Sequence, residues 1–435
     1  MVPDRCCQAP SWRPRLRSAQ PGKELDEFRK TSPGGIYHRP GHTGQCPDRI
    51  IRRILADTTE ADAMTSYERV MAALDHRRPD RPPLNYFGTQ ETTDKLLAHL
   101  GLQAHEQLLC YFGADMRYIN ARYVGPSAFS GASGYSSGGT DMWRVTWTPV
   151  SNRFATYYEM VSHPLASATT LKEILAHPWP SPDWLDVSHL KDQIALIQRD
   201  ERRAIVFPVG PFFETAWSLR GLEQFLMDMV EQPEIAEYIL GKVSMLMREV
   251  TMRAVEAADG QIDIIWSASD VGIQTGMICS PQLWRQRIKP WHRQLVEPFK
   301  QMGLRTRYHT DGAVTPIIDE LIEMGVDLLD PIQPKAAGMD AESLHRQFGG
   351  RISFYGGVDT QSLMPYGTPR QVEAEVIRLI ELFGAEGGYV VAASNAVQPN
   401  VPIENILALY CTARDYRYSR EPVRSCRCVS PNRSE

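Results

Sequence analysis

Short apolar runs alternate with helical patterns through most of this chain. Eight runs have the length and the β-branched or aromatic content of buried strands. They are 82–87 (PPLNYF), 115–120 (DMRYIN), 204–209 (AIVFPV), 263–267 (DIIWS), 305–309 (RTRYH), 326–330 (VDLLD), 352–356 (ISFYG) and 388–392 (GYVVA). A helix-like stretch follows each. In TPRQVEAEVIRLIELFG, Val372, Val376, Leu379, Ile380 and Phe383 recur at helical spacing, and Gly384 supplies the stop. Ile317, Ile318, Leu321 and Ile322 do the same before Gly325, and a longer helix is predicted from Pro233 to Ala258. Near residue 64, Ser66 is expected to cap a helix that places Val70, Met71 and Leu74 on one face.

Strands that alternate with helices imply parallel strands joined by crossovers. Eight such units predict an α/β fold, a (β/α)8 TIM barrel, with its functional residues at the carboxyl ends of the strands. The stretch between the second and third strands is too long for one unit. There TDMWRVTW and FATYYEM alternate like hairpin strands, so a hairpin insertion is expected near 135–165. Residues 1–63 are rich in Arg, Pro and Gly, lack periodicity, and are expected to be a disordered extension. Residues 64–415 form the barrel, and 416–435 a polar tail.

Composition narrows the partners. The hydrophobic fraction of 43% with 23% charged residues is that of a soluble globular protein. The 47 Lys+Arg against 52 Asp+Glu form no basic stripe, so nucleic acid is not an expected partner. No run of 18 apolar residues predicts a membrane span, and the amino-terminal stretch lacks the apolar segment of a secretory signal. Cys110, Cys279 and Cys411, scattered through the body, read as reduced thiols of a cytoplasmic protein.

The barrel expectation gathers a set of residues at the strand ends. They are Tyr86, Glu214 after Pro208 and Gly210, Asp270 and Gln274 after Ser267, His309 with Asp311, Asp330 with Gln333, Asp359 after Gly356, and Asn395 beside Ser394. His309, Asp311 and Asp270 are the candidates for chemistry. Tyr86, Glu214, Gln274, Gln333, Asp359 and Asn395 are candidates for holding a substrate. Residues two apart at a strand end face one spot, so His309 and Asp311 act together. They suit a metal, zinc among them, although a catalytic zinc wants three protein ligands and no Cys or second His appears at another strand end. Without a metal the pair would serve as acid and base. Other readings stay open: Asp311 as a helix cap, His309 as a hydrogen-bonded pocket residue, Asp270 as the anchor of a glycine turn, Asp330 as a strand terminator.

The run HTDGAVTPIIDELIEMGVDLLDPIQPKAAGMDAESLHRQFGGRISFYGGVDTQSLMPYGTPRQVEAEV, with GGYVVAASNAVQPNVPIENI, resembles the uroporphyrinogen decarboxylase superfamily, over roughly residues 64–415. That superfamily includes decarboxylases and corrinoid-linked methyltransferases, and the resemblance implies a TIM barrel. The decarboxylases carry an arginine motif after the first strand, where this chain reads GTQETTDK, and a histidine in a GHG-like turn, where it has Asn395. A polycarboxylate tetrapyrrole needs arginine forks. The methyltransferase branch binds zinc through His-x-Cys and a later Cys. His309 matches the first ligand, Asp311 stands at the second and Asn395 near the third. The resemblance thus implies methyl transfer between a small O- or N-methyl compound and a corrinoid carried by a partner protein. Decarboxylation of a tetrapyrrole or small carboxylated compound is the alternative, and a non-catalytic barrel that binds a corrinoid partner is a third.

Overall fold

The structure is a computed structural model, and it describes residues 64–134 and 138–418. All of these belong to the compact unit Gly34–Glu435. The predicted extension over 1–63 and the tail beyond 418 lie outside the described residues.

Seven strands form one parallel sheet in chain order: β1 (Met116–Tyr118), β2 (Ala204–Pro211), β3 (Ile264–Ala268), β4 (Arg305–His309), β5 (Leu328–Ile332), β6 (Ser353–Gly356) and β7 (Tyr389–Val390). The remaining predicted strand, 82–87, closes the ring. Asn85 N donates to Val391 O at 3.0 Å, Val391 N to Pro83 O at 2.8 Å, and Asp115 N to Leu84 O at 2.9 Å. This segment therefore lies between β7 and β1, but it pairs through isolated bridges, at Leu84 and just beyond it at Gly88. Pro82 and Pro83 lack the N–H groups that a longer ladder requires.

Alternation along the strands divides the core in two. Inward residues, among them Met116, Val206, Ile264, Trp266, Leu328 and Tyr355, fill the barrel together with Val70 and Leu74. Their neighbours Ile205, Phe207, Ile265, Tyr308, Leu329 and Phe354 pack outward against the helices. Burial on both faces explains why the strands read as near-continuous apolar runs.

Val70 and Leu74 belong to helix α1 (Ser66–Leu74). Its N-cap is Thr65, not Ser66: Thr65 accepts from Glu68 N in a capping box, while Ser66 N donates to Glu201 Oε1 at 2.7 Å. Helix α2 (Phe212–Arg220) follows β2, and α3 (Pro233–Ala257) matches the predicted long helix. Helix α4 (Pro369–Phe383) buries the five apolar residues named above. The TPIIDELIEMG stretch begins as a 3-10 turn, Thr315–Ile317, before helix Ile318–Glu323.

The insertion forms a small antiparallel sheet of Gly139–Thr140, Thr146–Ser151 and Thr156–Ser162. Buried Asp141 organises it, accepting from Trp143 N, Val145 N and Trp147 Nε1 at 2.9, 3.1 and 2.8 Å. Among the described residues, no helix is long and apolar enough to cross a membrane. Cys279 and Cys411 are free thiols, whereas Cys110 is disulfide-bonded, which departs from the expectation of three reduced cysteines.

Candidate functional site

The stripe Arg307, His309, Asp311 follows the period of two along and just beyond β4, while Tyr308 faces outward onto His292 at 4.5 Å between ring centroids. His309 pairs in register with Ala268 of β3, so Asp270 and Asp311 leave adjacent strand ends together. Asp311 N donates to Asp270 Oδ1 at 2.9 Å, and Ser269 N to His309 O at 2.9 Å. Two glycines make this close approach possible. A Cβ on Gly272 would lie 2.4 Å from Asp311 O, and one on Gly312, at φ +81°, 2.4 Å from the Gly272 carbonyl carbon.

His309 is bracketed by carboxylates. Its Nδ1 meets Asp330 Oδ2 at 3.1 Å, and its Nε2 lies 3.8 Å from Asp270 Oδ1 and 3.7 Å from Asp311 Oδ1. One ligand atom each from Asp270, His309 and Asp311 lie within 4.8 Å of one another. Asn395 Nδ2 donates to Asp311 Oδ2 at 2.9 Å, which leaves Asp311 Oδ1 buried without a hydrogen-bond partner among the described residues. Glu214, in the first turn of α2, accepts from Asp270 N through Oε1, and its buried Oε2 is likewise unpartnered. Gln333 Oε1 accepts from Gly312 N at 2.9 Å and so supports the turn after Asp311.

The crowding of acids sets the charge states. Burial pulls the His309 imidazole down, but Asp330, with Asp270 and Asp311, outweighs it and holds the ring up to about 10. Burial pushes Asp311 up to about 6, with His309 opposing and Asp270 and Asp330 adding to the rise. Glu214 is pushed up to about 8, first by burial and then by Asp270. Asp330 moves the other way. Burial would raise it, yet Arg307 and His309 hold it below the usual carboxylate range.

Six of the nine predicted residues thus meet in one network: Glu214, Asp270, His309, Asp311, Gln333 and Asn395. Three do not reach it. Tyr86 is 2% exposed, its hydroxyl bonds Thr93 Oγ1 at 3.0 Å, and its ring packs on Phe112 and Tyr410. Asn85 takes the inward phase in that segment, so Tyr86 turns out to the helices. Gln274 sits exposed at the tip of the turn between Gly272–Ile273 and Gly276–Met277. Asp359 accepts from the backbone N–H groups of Gln361, Ser362 and Leu363 at 2.9–3.1 Å, so it caps the turn that follows.

Arg307 and Asp330 were not singled out for chemistry from sequence. Arg307 is buried inside the barrel. Its Nε donates to Asp330 Oδ2 at 2.8 Å, and its guanidinium lies 3.9 Å from the Tyr355 ring centroid and 4.8 Å from that of Trp266. The phase it shares with His309 in RTRYHTD was the available signal.

Comparison with known proteins agrees with this architecture. The family profile of uroporphyrinogen decarboxylase (URO-D) matches residues 161–416. Curated uroporphyrinogen decarboxylases of Chlorobium phaeobacteroides and Chlorobium luteolum are 22% and 23% identical over 192 residues, 42% of this chain and 49% of each relative. The chain thus spans about half the length of the curated relatives it matches. A solved methyltransferase from Methanosarcina mazei superposes with a TM-score of 0.56 at 20% identity, covering 81% of this chain and 98% of that one, which is a likeness of fold. The family profile covers more than half of the sequence, and the chain belongs to the uroporphyrinogen decarboxylase family.

Proposed function

We propose that this family member transfers a methyl group between a small O- or N-methyl compound and a corrinoid carried by a partner protein, with a divalent metal held by Asp270, His309 and Asp311. The convergence of those three side chains on one point, with Asp311 Oδ1 buried and unpartnered, carries the reading. The sequence offered only two ligands, and Asp270 is the third that a catalytic zinc requires. The donor set is one imidazole and two carboxylates. It fits a zinc ion that polarises oxygen or nitrogen better than one that activates a thiol, for which soft thiolates are the usual partners. Such a metal would supply Lewis acidity to the heteroatom that the methyl group leaves.

The rest of the chemistry falls to the chain's own groups. On departure of a methyl group from an ether or amine, the bonding pair would stay on the heteroatom, and a reduced corrinoid would supply the nucleophilic pair that accepts the methyl. The heteroatom then needs a proton. Glu214, whose carboxyl burial pushes up and favours the protonated form, lies beside Asp270 and is the candidate to supply it. Asn395 orients Asp311 and leaves one of its oxygens free. The groups that meet His309 at the rim are carboxylates, an arrangement that suits a neutral or cationic methyl donor better than a polycarboxylate tetrapyrrole.

Protein purified without chelators should contain about one equivalent of divalent metal, measured by elemental analysis. Mixed with cob(I)alamin and a panel of O- and N-methyl donors, it should form methylcobalamin, read by absorbance. Absence of both metal and methylcobalamin across the panel overturns the proposal. Coproporphyrinogen formed from uroporphyrinogen would replace it with decarboxylation.

A further inference from the structure

His309 has two ring nitrogens, and one of them faces the cluster of Asp270 and Asp311. We infer that Asp330, gripped by Arg307, is a positioning residue that fixes Nδ1 of His309 as the bonded nitrogen and so presents Nε2 to Asp270 and Asp311. The inference rests on the proposed site, but it concerns residues that lie beneath it.

One oxygen does the holding. Asp330 Oδ2 accepts from Arg307 Nε at 2.8 Å and from His309 Nδ1 at 3.1 Å. Asp330 is 1% exposed and Arg307 2%, so solvent does not compete for either. A carboxylate that accepts from Nδ1–H selects the tautomer whose Nε2 lone pair is free, because a neutral imidazole carries its one proton on the bonded side. Nε2 is also the nitrogen that lies 3.7–3.8 Å from the two rim aspartates.

Arg307 has no room to swing away. Its guanidinium lies over the rings of Tyr355 and Trp266, and Nη1 donates to the Tyr118 hydroxyl. The hydroxyls of Tyr118 and Tyr355 accept in turn from Asn85 Nδ2, at 2.8 and 2.6 Å. Asn85 sits on the segment that closes the barrel. The position of His309 is thereby tied through Asp330, Arg307 and two tyrosines to the closure of the ring. A buried ion pair that served stability alone would not need its acceptor oxygen shared with a histidine at the rim.

The test uses Asp330→Asn and Arg307→Lys in the full chain. Asp330→Asn keeps the shape and removes the charge. Arg307→Lys keeps the charge and loses the planar fork, and it serves where Asp330→Asn does not fold. Two readouts are taken: zinc affinity by chelator competition, and the ring-nitrogen shifts of His309 in metal-free protein, assigned with His309→Ala and followed to the alkaline pH at which the ring is neutral and carries one proton. Asp330→Asn should weaken zinc roughly 10–100-fold, the usual cost of losing a histidine's outer partner. It should also redistribute the proton between the two nitrogens, with a smaller shift in the same direction for Arg307→Lys. Folded variants with wild-type zinc affinity and unchanged ring-nitrogen shifts overturn the inference. A wild-type protein that binds no zinc removes the metal from the proposed function and leaves the ring-nitrogen shifts to decide this one.

Discussion

The two ends of the barrel carry the same chemical group in opposite conditions. At the amino-terminal end, aspartates at the strand starts are completed by cations and backbone amides. Asp115 accepts from Arg69 and Arg81 at 2.7 and 2.9 Å and from Leu84 N at 2.8 Å. Asp263 holds Arg202 and Ile205 N, each at 2.8 Å, and Asp327 holds Lys300 and Thr306 N at 2.8 and 2.7 Å. At the carboxyl end, Asp311 and Glu214 each keep a buried oxygen without a hydrogen-bond partner among the described residues. A groove of about 990 Å³ lies at the amino-terminal end, lined in part by Asp263, Arg202 and Arg305. Size alone would place a ligand there. Its charged lining is already paired, whereas at the rim two carboxylate oxygens, one each of Asp311 and Glu214, lack partners among the described residues. Incompletely paired carboxylates, more than volume, mark the candidate site of this barrel.

Removing a carboxylate from each end tests the contrast most severely. Asp115→Ala strands two nearly buried arginines and should cost about 3–5 kcal/mol of stability, read as a lower urea midpoint, with the folded fraction keeping its activity. Asp311→Asn should do the reverse. Relief of the crowding with Asp270 should leave the melting temperature unchanged or raise stability by about 1 kcal/mol, the size of one modest electrostatic contact. Methyl transfer should fall at least ~100-fold, equivalent to about 2.7 kcal/mol of transition-state stabilisation. If Asp311→Asn melts as low as Asp115→Ala, the two ends do not differ in the way described.

A smaller effect separates stability from chemistry by pH. His292 is fully buried against Phe212 and Tyr308, with Nε2 near Ser267 Oγ at 3.3 Å, and burial pushes its imidazole down to about 3. The folded value lies below the unfolded one near 6.5. The neutral ring's contribution is therefore present above pH 6.5 and is lost as pH falls from there toward 3, at up to about 1.4 kcal/mol per unit. His292→Phe should flatten that acid-side slope, measured by urea midpoints at pH 7 and 5. A slope unchanged by the substitution would assign the acid sensitivity to another group.

Much of the barrel was legible because its strands are buried on both faces and its helices carry stops and periodic apolar faces. The segment 82–87 reads as a full strand by composition, but its prolines reduce it to a bridge. Within the site, period two was enough to join His309 to Asp311. The same phase, taken one step inward along the strand, reaches Arg307. Past the strand ends that rule lapses. Asp270 and Asp359 stand in similar sequence positions, yet one turns to the cluster and the other caps the next turn, because direction there depends on which backbone N–H groups lie in reach. Tyr86 shows a different failure: the strand was found, and the inward parity belonged to Asn85.

The contact between Gly272 and Gly312 has a further consequence. The two loops that bear Asp270 and Asp311 touch backbone to backbone, with no side chain between them to yield. Neither loop can close further on its neighbour, so the spacing between the Asp270 and Asp311 carboxylates has a floor that the main chain sets.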